Sequence, residues 1–377
     1  MAAELTASGV KGTPAPFAHS NVHLIHALSQ DIIQRTWTNN KEEWGKTLDI
    51  ETYYARERHL AEQDFAQNGK LKCWVLVPKT FDPDHPDLDQ ILSAVETYER
   101  PGIVATKDQG LKDVLCVSIA SVFCPARYRG HGYATLMMEQ LWEEIGKMDN
   151  VSFTFLYSDV GPTFYGRMGW ALCRSDEMII PASHSIVDQG SHQDTAILED
   201  LTDDNVRDTI ARDDILLRKK LIENLQECVD SKKVFVAVTP EMNCIQWLAA
   251  RSRFLVQHVL KLDQHIRALG AKDTRSDSFV LWYHDLLHDE LYIIRWRLDP
   301  TVSSENVARA LIRAAQEEAK RWKLSKIVIW DPEPILADLL QLPIKPRDSS
   351  LSCLGFFSAP LNTKDVEWVL NEKYAWC

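Results

Sequence analysis

The sequence predicts an α/β protein in which a mixed central sheet is flanked by helices, with the same design used twice along the chain. Three observations carry this. Leu115 to Cys124 is ten residues without a charge, with Leu115, Val117, Ile119 and Phe123 on one face and Cys116, Ser118, Ala120, Val122 and Cys124 on the other. A strand with no charge on either face is covered on both. Beyond it, Ala134, Met137, Met138, Leu141, Trp142, Ile145 and Met148 recur at intervals of three and four, which is one buried stripe of a helix, and Val151 to Ser158 is the next strand. Strand, helix and strand then return at Leu291 to Leu298, Ser304 to Trp322 and Lys326 to Trp330, at nearly the same spacing.

The elements follow in order. Met1 to Ala18 is small, polar and Pro-containing, without the charged and apolar regions of a signal peptide. Ser20 to Gln67 holds a first strand and two helices, Ala27 to Trp37 and Ile50 to Gln67. Lys72 to Val77 is a strand that stops at Pro78, because proline has no N–H for a ladder. The Asp- and Pro-rich stretch Lys79 to Asp89 is a loop, and Ile91 to Arg100 opens the strand before the central one. Met178 to Ile180 adds a last strand to the first domain, residues 19–181. Pro181 to Glu199 is rich in Ser, His, Asp and Gln and is read as an interdomain linker (182–199), with His184 and His192 solvated. The second domain, 200–377, begins with a strand at Val234 to Val238. Thr239 and Pro240 then serve as N-cap and first residue of a helix carrying Ile245, Leu248, Ala249 and Phe254. Phe279 to Tyr283 is a further strand.

The turn after the central strand, Arg127-Tyr128-Arg129-Gly130-His131-Gly132, suits an anion. The first N–H groups of a helix have no intrahelical partner, and the macrodipole is positive there. Gly130 and Gly132 admit a diphosphate close to the backbone, and Arg127 and Arg129 add charge-assisted hydrogen bonds. The candidate set is Arg127, Arg129, Gly130, His131, Gly132, Tyr133 and Ala134. A Walker loop is excluded by the missing lysine, and the Rossmann fingerprint fails at Thr135.

Arg-x-x-Gly-x-Gly after a strand and a proline resembles the acetyl-CoA loop of the GNAT acetyltransferases. Phe164-Tyr165-Gly166-Arg167-Met168-Gly169-Trp170 resembles a second segment of that superfamily, with Trp170 in its last place. The stretches YSDVGPTFYGRMGW and WVLNEKYAWC are similar to the fungal lysine N-acetyltransferases in particular. The resemblance covers most of the chain. It implies a GNAT fold followed by a second, degenerate GNAT-like domain, and acetyl-CoA as cosubstrate held also by the backbone of Val122 and Phe123. It further implies Tyr165 as the acid that protonates the departing thiolate, and direct attack by the ε-amine of L-lysine or a similar cationic amine.

In the second copy the corresponding turn reads Asp299-Pro300-Thr301-Val302-Ser303-Ser304-Glu305, with no glycine and two carboxylates that would repel a diphosphate. One cofactor site is therefore expected, with the second domain a scaffold closing over the substrate. Two candidates stand for the base that frees the amine: Glu96, on the strand before the central one, and the C-terminal carboxylate at Cys377, in an apolar, aromatic tail that reads as docked. A net charge of −12 argues against a nucleic-acid partner and suits a cationic substrate. No run of eighteen apolar residues spans a membrane. Eight scattered cysteines without a CxxC pair or Cys/His cluster argue against a metal site and for a reducing, cytoplasmic setting. Two function classes stay open: an acetyltransferase for lysine, another small amine or a protein lysine, and a CoA-binding sensor without catalysis. The oligomeric state is not legible.

Overall fold

A computed structural model describes residues 16–186, 196–301, 304–357 and 365–377; His192 of the linker lies outside them. In chain order the strands and helices are β1 (Val22–His26), α1 (Gln30–Trp44), α2 (Ile50–Ala61), β2 (Leu71–Pro78), β3 (Ser93–Thr106), β4 (Gly110–Phe123), α3 (Tyr133–Gly146), β5 (Val151–Ser158), β6 (Ala171–Leu172) and β7 (Asp176–Pro181). The second half continues with β8 (Leu198–Leu201), α4 (Val206–Glu227), β9 (Val234–Val238), α5 (Met242–Phe254), β10 (Gly270–Asp273), β11 (Phe279–Asp285), β12 (Glu290–Arg297) and α6 (Ser304–Arg321). It closes with β13 (Lys326–Trp330), α7 (Pro334–Leu340), β14 (Lys345–Pro346), β15 (Leu351–Phe356) and β16 (Val366–Trp368).

Two mixed sheets result. In each, a parallel pair is joined by a helix, β4–α3–β5 in the first and β12–α6–β13 in the second, with antiparallel neighbours around it. The first sheet runs β1-β2-β3-β4-β5-β15-β6, with β9 on the far part of β3 and β16 beside β9; the second runs β14-β7-β13-β12-β11-β10-β8. The repeat of the design read from the sequence is thus present in the backbone.

The boundary between the halves of the sequence is not a boundary between the sheets. Met178 to Ile180, expected to finish the first sheet, instead lies in β7 and pairs antiparallel with β13. In return β15 pairs with β5, filling the place in the first sheet that β7 fills in the second. Val234 to Val238 likewise joins the first sheet, on Gly102–Thr106 of β3. The physical reason is edge satisfaction: β5 and β13 are strongly apolar strands whose free backbone groups need a partner, and either half can supply one. Two smaller expectations are also corrected. The helix after β9 begins at Met242 with Glu241 as its N-cap, so Pro240 precedes it rather than opening it. His184 is partly buried rather than freely solvated: its Nε2 lies 2.9 Å from the Leu340 carbonyl oxygen.

Burial explains the charge-free central strand. Val117 and Ile119 share a core with Met137, Met138 and Leu141 of α3. Cys116, on the opposite face, packs with Val236, Trp247 and Tyr374 from the second half. A fragment ending at Pro181 would lose β9, β15 and β16 and expose Phe153 and Phe155, which are fully buried in the whole chain. Such a fragment is expected to aggregate or lack fixed tertiary packing, as read by size-exclusion chromatography and near-UV circular dichroism. A monodisperse, cooperatively melting fragment would contradict this.

Candidate active site

After β4, Pro125 and a single 3₁₀ turn at Ala126–Tyr128 carry the chain to two glycines, Gly130 at φ 81° and Gly132 at φ 78°. Both are left-handed, which is the reason for glycine at these positions. Gly132 is the N-cap of α3 and provides no side chain to satisfy the helix amides, and both glycines are exposed. The bend is therefore open to an anion. The predicted residues gather here but play different parts. Arg129 donates Nε–H to the Cys124 carbonyl at 2.9 Å and lies over the Phe123 ring at 5.4 Å. Arg127 is exposed and donates to the backbone and side chain of Asp89, at 3.2 and 3.1 Å. The His131 carbonyl contacts His19 Nε2 at 2.7 Å. Tyr133 turns inward: it is 1% exposed and its hydroxyl both donates to Phe17 O and accepts from Phe17 N. Its backbone, with that of the partly buried Ala134, is what faces the bend.

Removing the guanidinium of Arg129 by Arg129→Ala is expected to raise the Kd for CoA about tenfold, the scale of one charge-assisted hydrogen bond, measured by calorimetry. An unchanged Kd would take Arg129 out of phosphate binding.

In the equivalent bend after β12, Val302 and Ser303 lie outside the described residues, and Asp299 bonds within the protein. One oxygen of the Asp299 carboxylate accepts from Thr301 N and Oγ1 at 2.9 and 2.6 Å, and the other accepts from Asp277 N at 3.1 Å. A carboxylate of the protein thus holds the amides of Thr301 and Asp277.

The parallel pairing of β4 with β5 ends at Ile119 and Leu156, while β4 runs on to Phe123 and β5 to Ser158. The two strands part there. On its other side β4 carries a bulge: Ala120 pairs with Glu96 and Phe123 with Ala94, so Ser121 and Val122 face a single β3 residue. Ser121 takes φ 55°, a strained value for a residue with a side chain. The bulge turns its hydroxyl to Glu96, donating to Oε2 at 2.7 Å. The backbone of Val122 and Phe123 follows at the mouth of the split.

Glu96 is 8% exposed. Burial, with the neighbouring charge of Glu57, pushes its carboxyl up to about 7, against the opposing effect of hydrogen bonds from Ser121 and Trp37 and the charge of Arg56. Glu57 is itself held by Arg56 at 2.5 Å. Tyr98 stacks on Phe65 with ring centroids 5.1 Å apart, and its phenol is pushed up by burial and by the charges of Glu96, Cys377 and Glu57.

The second half forms the facing wall. The last residues dock into the first sheet: buried Arg100 donates to Ala375 O at 2.7 Å, and Tyr374 donates to Val238 O at 2.6 Å. Cys377 Sγ lies 3.0 Å from Ser118 Oγ on β4, one residue from where β4 and β5 part. From α5, Trp247 donates to Leu60 O of α2, and Arg251 lies over the Trp376 ring at 5.5 Å. Glu57, Tyr98, Ser121 and Arg251 were not legible as site residues. Only Ser121 left a trace, as a polar residue interrupting the apolar face of the central strand.

Tyr165 begins a 3₁₀ turn, Tyr165–Met168, after β5 and packs beside α3 at 5% exposure. Burial raises its phenol well above the ordinary value of 10. Among the described residues its hydroxyl has no hydrogen-bond partner.

A cavity of about 320 Å³ lies apart from this cleft, against α4 and the second sheet, lined by Asp208, Arg212, Asp213, Asp277 and Arg297 among others. Its two arginines are already matched, Arg212 with Asp277 at 2.8 Å and Arg297 with Asp213 at 2.6 Å. Among the described residues no group of His, Cys, Asp and Glu could hold a metal ion, and no helix is long and apolar enough to cross a membrane.

Residues 87–173 match the acetyltransferase (GNAT) domain family, and residues 183–377 match the family described as the LYC1 GNAT-like C-terminal domain. A lysine acetyltransferase of Yarrowia lipolytica (strain CLIB 122 / E 150) is 24% identical over 402 residues, covering 93% of this chain and 98% of that protein. Among solved structures, a GCN5-related N-acetyltransferase from Kribbella flavida is 15% identical with a TM-score of 0.54, over 90% of this chain and 72% of that one. A conserved protein of Enterococcus faecalis V583, a probable N-acyltransferase, is 12% identical with the same TM-score of 0.54, over 89% and 72%. At these identities the two structures show a shared fold.

Proposed function

Since the chain belongs to the GNAT acetyltransferases that carry the LYC1 GNAT-like C-terminal domain, we propose that it moves the acetyl group of acetyl-CoA to the ε-amine of free L-lysine. The observation that carries this is the juxtaposition of an open, glycine-lined helix N-terminus with a buried carboxyl near neutral pKa. The printed name of the Yarrowia lipolytica relative supports lysine as acceptor.

In this reading the diphosphate sits on the amides of Gly130 to Ala134 with Arg127 and Arg129 around it. The bend fits that group: it is exposed, left-handed at both glycines and without a side-chain cap. The split between β4 and β5 then admits the thioester to the bulge. A lysine ammonium with a pKa near 10.4 gives up its proton at pH 7 at a cost of about 4.6 kcal/mol. Glu96 is the base that takes it, directly or through one water, because a carboxyl near 7 is ionised often enough and basic enough to act. The free amine attacks the carbonyl directly. Backbone N–H at Val122 or Phe123 stabilises the oxyanion; as it collapses the C–S bond breaks, Tyr165 gives its proton to the departing thiolate, and the surplus proton of the attacking nitrogen passes through solvent to restore the phenol. The carboxylate at Cys377 is the second candidate base. All eight cysteines are free thiols, which suits work in the cytoplasm.

The test is thiol release from acetyl-CoA with and without L-lysine, with the product identified by mass spectrometry. Lysine-dependent release with Nε-acetyl-lysine as product supports the proposal. CoA binding with no turnover on any amine would favour the sensor.

A further inference from the structure

We propose that Arg251 binds the carboxylate of the acceptor, so that the substrate class is a free amino acid with a distal amine rather than a lysine within a protein. This rests on the acetyl-transfer reading above and adds to it the group that selects the acceptor.

Arg251 is a partly buried guanidinium on α5, with the Trp376 ring 5.5 Å from its Cζ. Burial works against its charge, and Tyr283, Glu57 and Asp285 more than restore it. Neither carboxylate is free to pair with it. Glu57 is committed to Arg56 at 2.5 Å, and Asp285 to His288 Nδ1 at 2.9 Å. Among the described residues no carboxylate lies within salt-bridge distance of Arg251. A guanidinium has five donors in a planar fork; Tyr283 takes one of them, and stacking on a ring leaves the rest of the edge available. A partly desolvated cation in this state is matched by a ligand that brings its own carboxylate.

The rest of the cleft completes the pattern. Trp376, under Arg251, precedes Cys377, whose Sγ lies 3.0 Å from Ser118 Oγ on β4, and Ser121 of the same strand bonds Glu96, so Arg251 and Glu96 are brought to one stretch of β4. The charged groups gathered there are the carboxyls of Glu96 and Glu57 and the guanidinium of Arg251. A free lysine has the complementary charges, with an ammonium at one end and a carboxylate at the other. A diamine of equal length presents a second cation to Arg251 and is repelled. A lysine in a protein has no carboxylate there and would have to bury two peptide bonds. The second half thereby supplies specificity through α5, on an element remote in sequence from the acetyl-transfer loop.

The experiment compares kcat/KM for L-lysine, 6-aminohexanoate and cadaverine by thiol release, in the full-length protein and in Arg251→Met and Arg251→Lys. In the wild type both carboxylates are expected to exceed cadaverine by about 10- to 100-fold. In Arg251→Met that ratio falls towards one, and in Arg251→Lys, which keeps the charge without the fork, it is intermediate. The wild-type comparison needs no variant to fold. Equal kcat/KM for cadaverine and L-lysine in the wild type, or a ratio unchanged by Arg251→Met, overturns the role of Arg251 while the acetyltransferase stands. Thiol release that no amine stimulates overturns the acetyl-transfer reading and this one with it.

Discussion

Tyr165→Phe is expected to lower kcat about 10²-fold, the usual size of a lost general acid, with KM for acetyl-CoA changing little. The substitution removes one hydroxyl and keeps the ring. What anchors Tyr165 is its ring packing beside α3 and Phe164, and the bond from Trp170 N to its backbone carbonyl, all of which phenylalanine retains. The loss would therefore be chemical rather than structural. Because burial holds the phenol well above its usual 10, it stays protonated throughout the working range, and no basic limb below pH 10 should belong to it. Steady-state kinetics, with near-UV circular dichroism as the control for packing, checks the prediction. Undiminished kcat would leave Tyr165 as a core residue only.

Glu96→Gln is expected to cost more, between 10² and 10⁴-fold in kcat/KM for the amine. The base must be ionised to act, so activity should fall as the pH drops through about 7, the value to which burial and Glu57 raise this carboxyl. In Glu96→Gln that acidic limb should vanish from the pH profile. Stability should respond in the opposite sense. The folded protein binds the Glu96 proton more tightly than the unfolded chain, whose carboxyl titrates at the ordinary 4.5. The contribution is therefore fully present below 4.5 and is lost as the pH rises to about 7, by about 3 kcal/mol. Glu96→Gln avoids that loss, so its gain over wild type in urea unfolding should be larger at pH 8 than at pH 4. A variant keeping the acidic limb would move the role of base to another group, with the carboxylate at Cys377 next to be tested by appending residues.

Tyr165 and Glu96 stand out in the sequence as candidates for different reasons. Tyr165 sits in a motif whose residues lie within a few positions of one another. Glu96 was one of two candidate bases, and nothing local distinguished it from a strand carboxylate in an ordinary ion pair. Its raised pKa comes from burial in the assembled fold and from Glu57 on α2, and its hydrogen bond from the bulge at Ser121, twenty-five positions on. Arg251 was not legible at all, because an arginine on an amphipathic helix looks the same whether its partner is solvent, a carboxylate or a ligand.

The sequence by itself determined the local events: strand β4, the two left-handed glycines, helix α3, strand β5, and the repeat of that succession around α6. Each depends on backbone preferences and on apolar spacing over fewer than about twenty residues, and a linear pattern records both. Only the tertiary structure decided that β7 and β15 are exchanged between the sheets, and that the chain's last residues reach the central strand. Those outcomes depend on which distant segment best covers an open edge or an apolar face. Contacts such as Arg100 to Ala375, 275 positions apart, leave no periodic trace in the residues that make them.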